Sequence, residues 1–241
     1  MHPPAAGRFP TTLWEVVLLA RGGEGEASRE ALGALCGRYW RPVYGYVRSR
    51  GNGVEESRDL TQEFFAHFIE GDFLKGVQQD RGRFRTFLAV CVKRFLANEY
   101  DRKTALKRGG GSVPLSLDCT DAEHQLTKLP QNGLSADERF DQQWAYTLLE
   151  GVLATLRAEY AAKRNGVRFE VLREFLTLGR GEESYAAAAE ALGTSEGAVR
   201  VAVHRLRRRF RDLLRAEVLE LVADPADIDD ELRVLRSILS P

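Results

Sequence analysis

Residues Ser184 to Arg215 read SYAAAAEALGTSEGAVRVAVHRLRRRFRDLLR. Tyr185 to Leu192 is a short alanine-rich helix, and Gly193 to Ser195 supplies a turn. From Glu196 onward, Val199, Val203, Leu206, Phe210 and Leu213 fall on one side of a second helix. The small residues Ala186 to Ala189 let two helices approach closely. Gly193 accepts the positive φ of a tight turn, and Ser195 caps the helix that follows. Together these parts predict a helix-turn-helix.

The second of these helices is strongly cationic. Arg200, Arg205, Arg207, Arg208, Arg209, Arg211 and Arg215 face only Glu196 and Asp212, an excess of five. The whole chain holds 35 Lys and Arg against 35 Asp and Glu, so only local clustering argues for a polyanionic partner. Such a helix suits a major groove, with its first residues at base edges and its later arginines on phosphates. Each neutralised phosphate steepens the salt dependence by about 0.9 in log-log slope. The alternative is a solvated basic face on an ordinary helical hairpin, because arginine is also a good helix former.

Outward from this segment the periodicity is helical almost everywhere, with no apolar-polar alternation bounded by hairpin turns. The class is all-α. At 241 residues, 44% apolar and 29% charged, the chain is long enough for two small domains and too apolar to be disordered throughout. Leu32, Leu35, Cys36, Tyr39, Val43, Tyr46 and Val47 form one helical stripe, with a kink or restart expected at Pro42 and a stop at Gly51–Gly53. Leu60, Phe64, Phe65, Phe68 and Ile69 form the next, from about Ser57 to Gly71, which turns Asp59, Gln62 and Glu63 outward. Phe84, Phe87, Leu88, Cys91, Val92, Phe95 and Leu96 give the clearest stripe.

Residues 108–137, with Gly109–Gly111, Pro114, Pro130, Asn132 and Gly133, read as a flexible linker. Helical patterning resumes with Trp144, Leu148, Leu149, Val152, Leu153 and Leu156, and again with Phe169, Leu172, Phe175 and Leu176, so a second domain is expected from 138. A helix around Trp14 precedes the first domain, and its docking is left open.

A second basic cluster lies between Arg81 and Arg108. Arg81, Arg83, Arg85, Lys93, Arg94, Arg102, Lys103, Lys107 and Arg108 stand against Glu99 and Asp101, and Phe84, Phe87, Phe95 and Tyr100 interleave with them. Basic grooves with aromatic platforms suit single-stranded nucleic acid, where a stacked base is worth about 1 to 3 kcal/mol. The periodicity assigns most of these phenylalanines to the core.

Enzyme chemistry finds little support. His67 follows Glu63 by four residues without forming HExxH, and KRGGGS at Lys107–Ser112 lacks the GK[ST] ending and preceding strand of a phosphate loop. No catalytic residue, metal site or cofactor is expected. Cys36, Cys91 and Cys119 are odd in number and widely spaced, as suits reduced structural thiols. With no long apolar run and no visible secretory signal, no membrane insertion is expected and the cytoplasm is the expected compartment.

Taken in order, YWRPVYGYVRSRG, DLTQEFF, RGRFRTFL, a linker and LGTSEGAVRVAVHRLRRRF resemble the extracytoplasmic-function (ECF) group of sigma factors in the sigma-70 family. The resemblance covers most of the chain. It implies an N-terminal extension (1–29), a region-two-like domain (30–107) that grips core RNA polymerase and melts the −10 element, the linker, and a region-four-like domain (138–216) that binds the −35 element. Core polymerase and promoter DNA are the implied partners, and an anti-sigma protein is a further one the resemblance allows.

By position, Asp59, Gln62 and Glu63 match the polymerase-binding surface. Arg81, Arg83, Arg85, Lys93, Arg94, Asn98, Arg102 and Lys103 fall to −10 DNA, and Ser195, Glu196, Gly197, Arg200, Val201, His204, Arg205 and Arg208 to −35 DNA. Phe87 and Leu88 stand for the family's Trp-Leu pair, Arg94 and Asn98 for its later Asn and Asp, and Ala202 where a further arginine is common. An alternative keeps the helix-turn-helix without the polymerase, as a DNA-binding regulator. Another is an all-α interaction adaptor with no DNA role. Residues 217–241 form an acidic, amphipathic extension, expected either to fold back over the basic helix in competition with DNA or to complete the second core.

Overall fold

The computed structural model describes residues 26–69, 83–105, 133–176, 183–222 and 224–239, and no strand occurs among them. The helices are α1 (Glu26–Ser49), α2 (Val54–Ile69), α3 (Phe84–Ala105), α4 (Ala136–Ala162), α5 (Gly166–Arg173), α6 (Glu183–Ala191), α7 (Glu196–Leu219) and α8 (Ile228–Leu239). The fold is all-α, as the periodicity required. The segment around Trp14, residues 108–132 of the expected linker, Cys119 and Arg81 lie outside the described residues.

The restart expected at Pro42 does not occur: α1 runs through it as one helix. Pro42 removes a single backbone donor, and Tyr39, Val43, Tyr44, Tyr46 and Val47 around it are all buried, so packing outweighs that loss. At its end Gly51 takes φ +91° and the Asn52 Nδ2 donates to the Val47 carbonyl at 2.9 Å. Helix α2 begins at Val54, a turn earlier than expected. There the Ser57 N–H donates to the Gly53 carbonyl at 2.9 Å.

Helix α4 starts on a capping box: the Glu138 N–H donates to Ser135 Oγ at 3.2 Å and the Ser135 N–H to Glu138 Oε2 at 2.8 Å. The Ser135 donors hold the Glu138 carboxyl below its ordinary range.

The chain divides into two compact units, one made of the residues up to Thr147 with those from Val218 onward, the other of Leu148–Glu217. In the first unit α1, α2 and α3 enclose an aromatic core of Tyr39, Tyr44, Tyr46, Phe64, Phe65, Phe68, Phe84 and Phe95. Tyr39 meets Phe84 edge-on at 5.2 Å and Phe64 meets Phe95 at 5.7 Å. Edge-to-face pairs add about 0.5–1.5 kcal/mol to the burial term.

Phe140 and Trp144, which the sequence reading assigns to the second domain, belong to this first unit. Phe140 packs edge-on against Tyr46 at 6.3 Å, and the Arg85 guanidinium lies over Trp144 at 4.8 Å. Val218, Leu221, Val222 and Leu235 are buried in the same unit. The C-terminal extension therefore does not complete the second core.

In the second unit, Leu156, Phe169, Leu172 and Phe175 pack with Ala188 and Ala189 of α6 and with Val199, Val203 and Leu206 of α7. The turn between α6 and α7 closes as the local residues require. Gly193 adopts φ +58°, its N–H donates to the Glu190 carbonyl at 3.1 Å, and the Thr194 N–H reaches the Ala189 carbonyl at 2.9 Å. The Ala198 N–H then donates to Ser195 Oγ at 3.3 Å, capping α7.

Candidate nucleic-acid interface

Val199, Ala202, Val203 and Leu206 are buried on one side of α7, which turns its other side outward, because positions three and four apart share a helix face. Ser195, Glu196, Gly197, Arg200, Val201, His204, Arg205 and Arg208 are accordingly all exposed, brought together along the first half of α7. Val201 is an exposed apolar residue among cations, at 51%. Arg200 stacks over Tyr185 at 4.5 Å and stands 3.9 Å from Glu196, a surface pair of little energetic weight.

Two arginines of this run are tied to other elements of the second unit. Arg207 is half-buried and donates to the Phe175 carbonyl from Nε at 3.0 Å and from Nη2 at 2.7 Å. Arg209 forks onto Glu159, with Nε 3.0 Å from Oε2 and Nη2 2.5 Å from Oε1. That fork holds the Glu159 carboxyl below its ordinary range and raises Arg209. Ala202 is buried against the core, so the departure from arginine there is a packing choice rather than a lost surface contact.

A groove of about 390 Å³ opens beside the helix, lined by Lys163, Arg168, Arg205 and Arg209 with Glu159 and Tyr160. Sequence reasoning missed Lys163 and Arg168. They lie outside Ser184–Arg215 in sequence, and only the fold of the second unit brings them to the groove beside Arg205 and Arg209.

In the first unit, α3 buries Leu88, Cys91, Val92 and Phe95 and turns Lys93, Arg94 and Asn98 outward. Tyr100, 71% exposed, joins them, whereas Phe84 and Phe95 are buried, as expected of core residues. Arg102 is half-exposed and pairs with Glu63 at 2.8 Å and Glu99 at 2.9 Å. The side chain of Lys103 lies outside the described residues.

Arg83 and Arg85 are placed differently from Lys93, Arg94 and Asn98. Arg85 is only 6% exposed, donates from Nε to Glu231 at 2.7 Å and pairs with Asp141. Burial lowers its pKa, but the carboxylates of Glu231 and Asp141 outweigh that and hold it above its ordinary value. Arg83 is half-exposed and lies 2.5 Å from the same Glu231. Charge counting could not find this, since Glu231 stands 146 residues from Arg85.

On α2 Asp59 is exposed, while Gln62 and Glu63 are half-buried, with Glu63 tied to Arg102. The three reach solvent to different degrees, Asp59 the most. Among the described residues no cluster of ligating side chains suited to a metal ion occurs, and no helix is long and apolar enough to cross a membrane.

The chain is 26% identical over 186 residues to RNA polymerase sigma factor YlaC of Bacillus subtilis (strain 168), a match covering 76% of this chain and 91% of that protein. That relative is a sigma factor, the class that the order of motifs in this chain resembles. No family profile and no solved structure matches the chain. An alignment of 186 residues is longer than either compact unit, so the likeness reaches residues of both.

Proposed function

We propose that this chain is a transcription initiation factor that binds core RNA polymerase and directs it to promoters through the −10 and −35 elements. It is a regulatory, non-enzymatic protein of the cytoplasm. The observation that carries the reading is the likeness to a sigma factor over 76% of the chain. The exposed face of Gly197, Arg200, Val201, His204, Arg205 and Arg208 supports a role in −35 readout, with base edges met near the α7 N-terminus and phosphates further along. Lys93, Arg94 and Asn98 on α3 support contacts to the −10 strand, with Tyr100 offering a stacking surface.

Asp59, Gln62 and Glu63 are the residues assigned to polymerase. Two modest DNA contacts on one chain raise each other's effective concentration, and that is how such a factor selects paired elements. Run-off transcription with core enzyme on genomic promoters tests the proposal. Core-dependent initiation that Asp59→Arg abolishes is expected, and transcription no different from core enzyme alone would overturn it. Co-purification of core subunits separates this function from a helix-turn-helix regulator that acts without polymerase.

A further inference from the structure

Helix α8 is the most strongly amphipathic element among the described residues, and the first unit takes its apolar side. Leu235 is 2% exposed, and Leu221 and Val222, just before it, are buried as well. With them comes Glu231, 1% exposed, set between two arginines. Its Oε1 accepts from Arg85 Nε at 2.7 Å, and its Oε2 lies 2.5 Å from Arg83 Nε as a charge contact without an aligned hydrogen bond. Glu220, on the same segment, accepts from Arg38 at 2.9 Å.

One oxyanion held by two guanidinium groups is the arrangement in which arginines also hold a phosphodiester. Arg83 immediately precedes α3 and Arg85 lies in its first turn, on the basic element read above as a nucleic-acid surface. We infer that Glu231 occupies a phosphate-binding site of the first unit, and that α8 is an internal competitor which must be displaced before a polyanion reaches Arg83 and Arg85. This rests on the proposed nucleic-acid role of α3.

Two features fit a releasable contact better than a permanent pin. Arg85 keeps Asp141 when Glu231 leaves, so release strands no unpaired buried cation. Helix α8 spans 12 residues, a length marginal in water without tertiary support, and has no fold to keep once detached.

The test uses the full chain, wild type and Glu231→Gln, which keeps the side chain's shape and removes its charge. A fluorescein-labelled mixed-sequence single strand and its duplex are titrated by anisotropy across a salt series. Glu231→Gln should bind the single strand about 5- to 150-fold tighter, the usual span of a coupling between sites. Its log-log salt slope should be steeper by about 0.7 for each phosphate gained. Unchanged affinity and slope alongside a lowered Tm would overturn the inference and leave Glu231 a structural pin, and so would failure of the variant to bind either probe.

A second measurement needs no variant. Coupling is reciprocal, so the oligonucleotide should speed hydrogen exchange of the amides of residues 228–239 in the wild type, and unchanged or slower exchange counts against the inference. Core-polymerase pull-down is scored separately. Loss of core binding with the affinity gain intact sinks the proposed function and spares this contact; intact core binding without the gain does the reverse.

Discussion

The Arg207 guanidinium donates two hydrogen bonds to the Phe175 carbonyl, at 3.0 and 2.7 Å, fastening α7 to the 3-10 turn Glu174–Leu176 that follows α5. One of the seven arginines in the basic run is thereby committed to the fold of the second unit. Its neighbour Arg208 is exposed.

The two positions should separate cleanly on substitution. Arg207→Ala leaves the Phe175 carbonyl short of its charged donor and should cost about 1.5 kcal/mol in urea unfolding, with little change in the salt slope of duplex binding. Arg208→Ala should leave stability within about 0.5 kcal/mol and flatten that slope by about 0.9. Identical effects from both would refute the assignment.

Arg164 adopts φ +57° at the end of α4, where its N–H donates to the Ala161 carbonyl and the Asn165 N–H reaches the Tyr160 carbonyl. This is the position at which helices favour glycine. Arg164→Gly should raise stability by about 0.5–1 kcal/mol, since the left-handed strain relieved exceeds the added chain entropy. Denaturant midpoints at unchanged m decide the sign.

Leu235 is buried in the first unit, not the second. Leu235→Ala should therefore cost about 2–4 kcal/mol, and hydrogen exchange should place the loss in α1–α3, leaving Phe169 and Phe175 and their neighbours protected. Truncation after Ala216 should produce a larger loss in the same place.

The pH response of the second unit should report Glu159. Its folded pKa is depressed by Arg209, so the stabilisation is present above the unfolded carboxylate value and is lost as pH falls through the folded one. Tm measured from pH 6 down to pH 3 should fall less steeply in Glu159→Gln than in the wild type. Parallel curves would show that the pair contributes nothing.

Burial pushes the thiols of Cys36 and Cys91 up to about 12. Neither should react with iodoacetamide at pH 8 until the first unit unfolds, which mass spectrometry of labelled peptides reads directly.

What the sequence determined by itself is local. A stripe such as Phe84, Leu88, Cys91, Val92 and Phe95 has one way to be buried on a helix, and Gly193 followed by Ser195 closes a helix and caps the next using only neighbouring backbone. The exposed face of α7 follows from the same periodicity, and so that half of the candidate site was legible. The tertiary structure alone decided which charges stay available. Arg85 and Arg207 look like their exposed neighbours in sequence, yet each meets an oxygen many residues away, at Glu231 and Phe175, and Arg209, though exposed, is tied to Glu159. Composition reports how many cations a segment holds; whether a cation faces water or a buried carboxylate depends on long-range packing, which is also why the C-terminal helix belongs with the first unit.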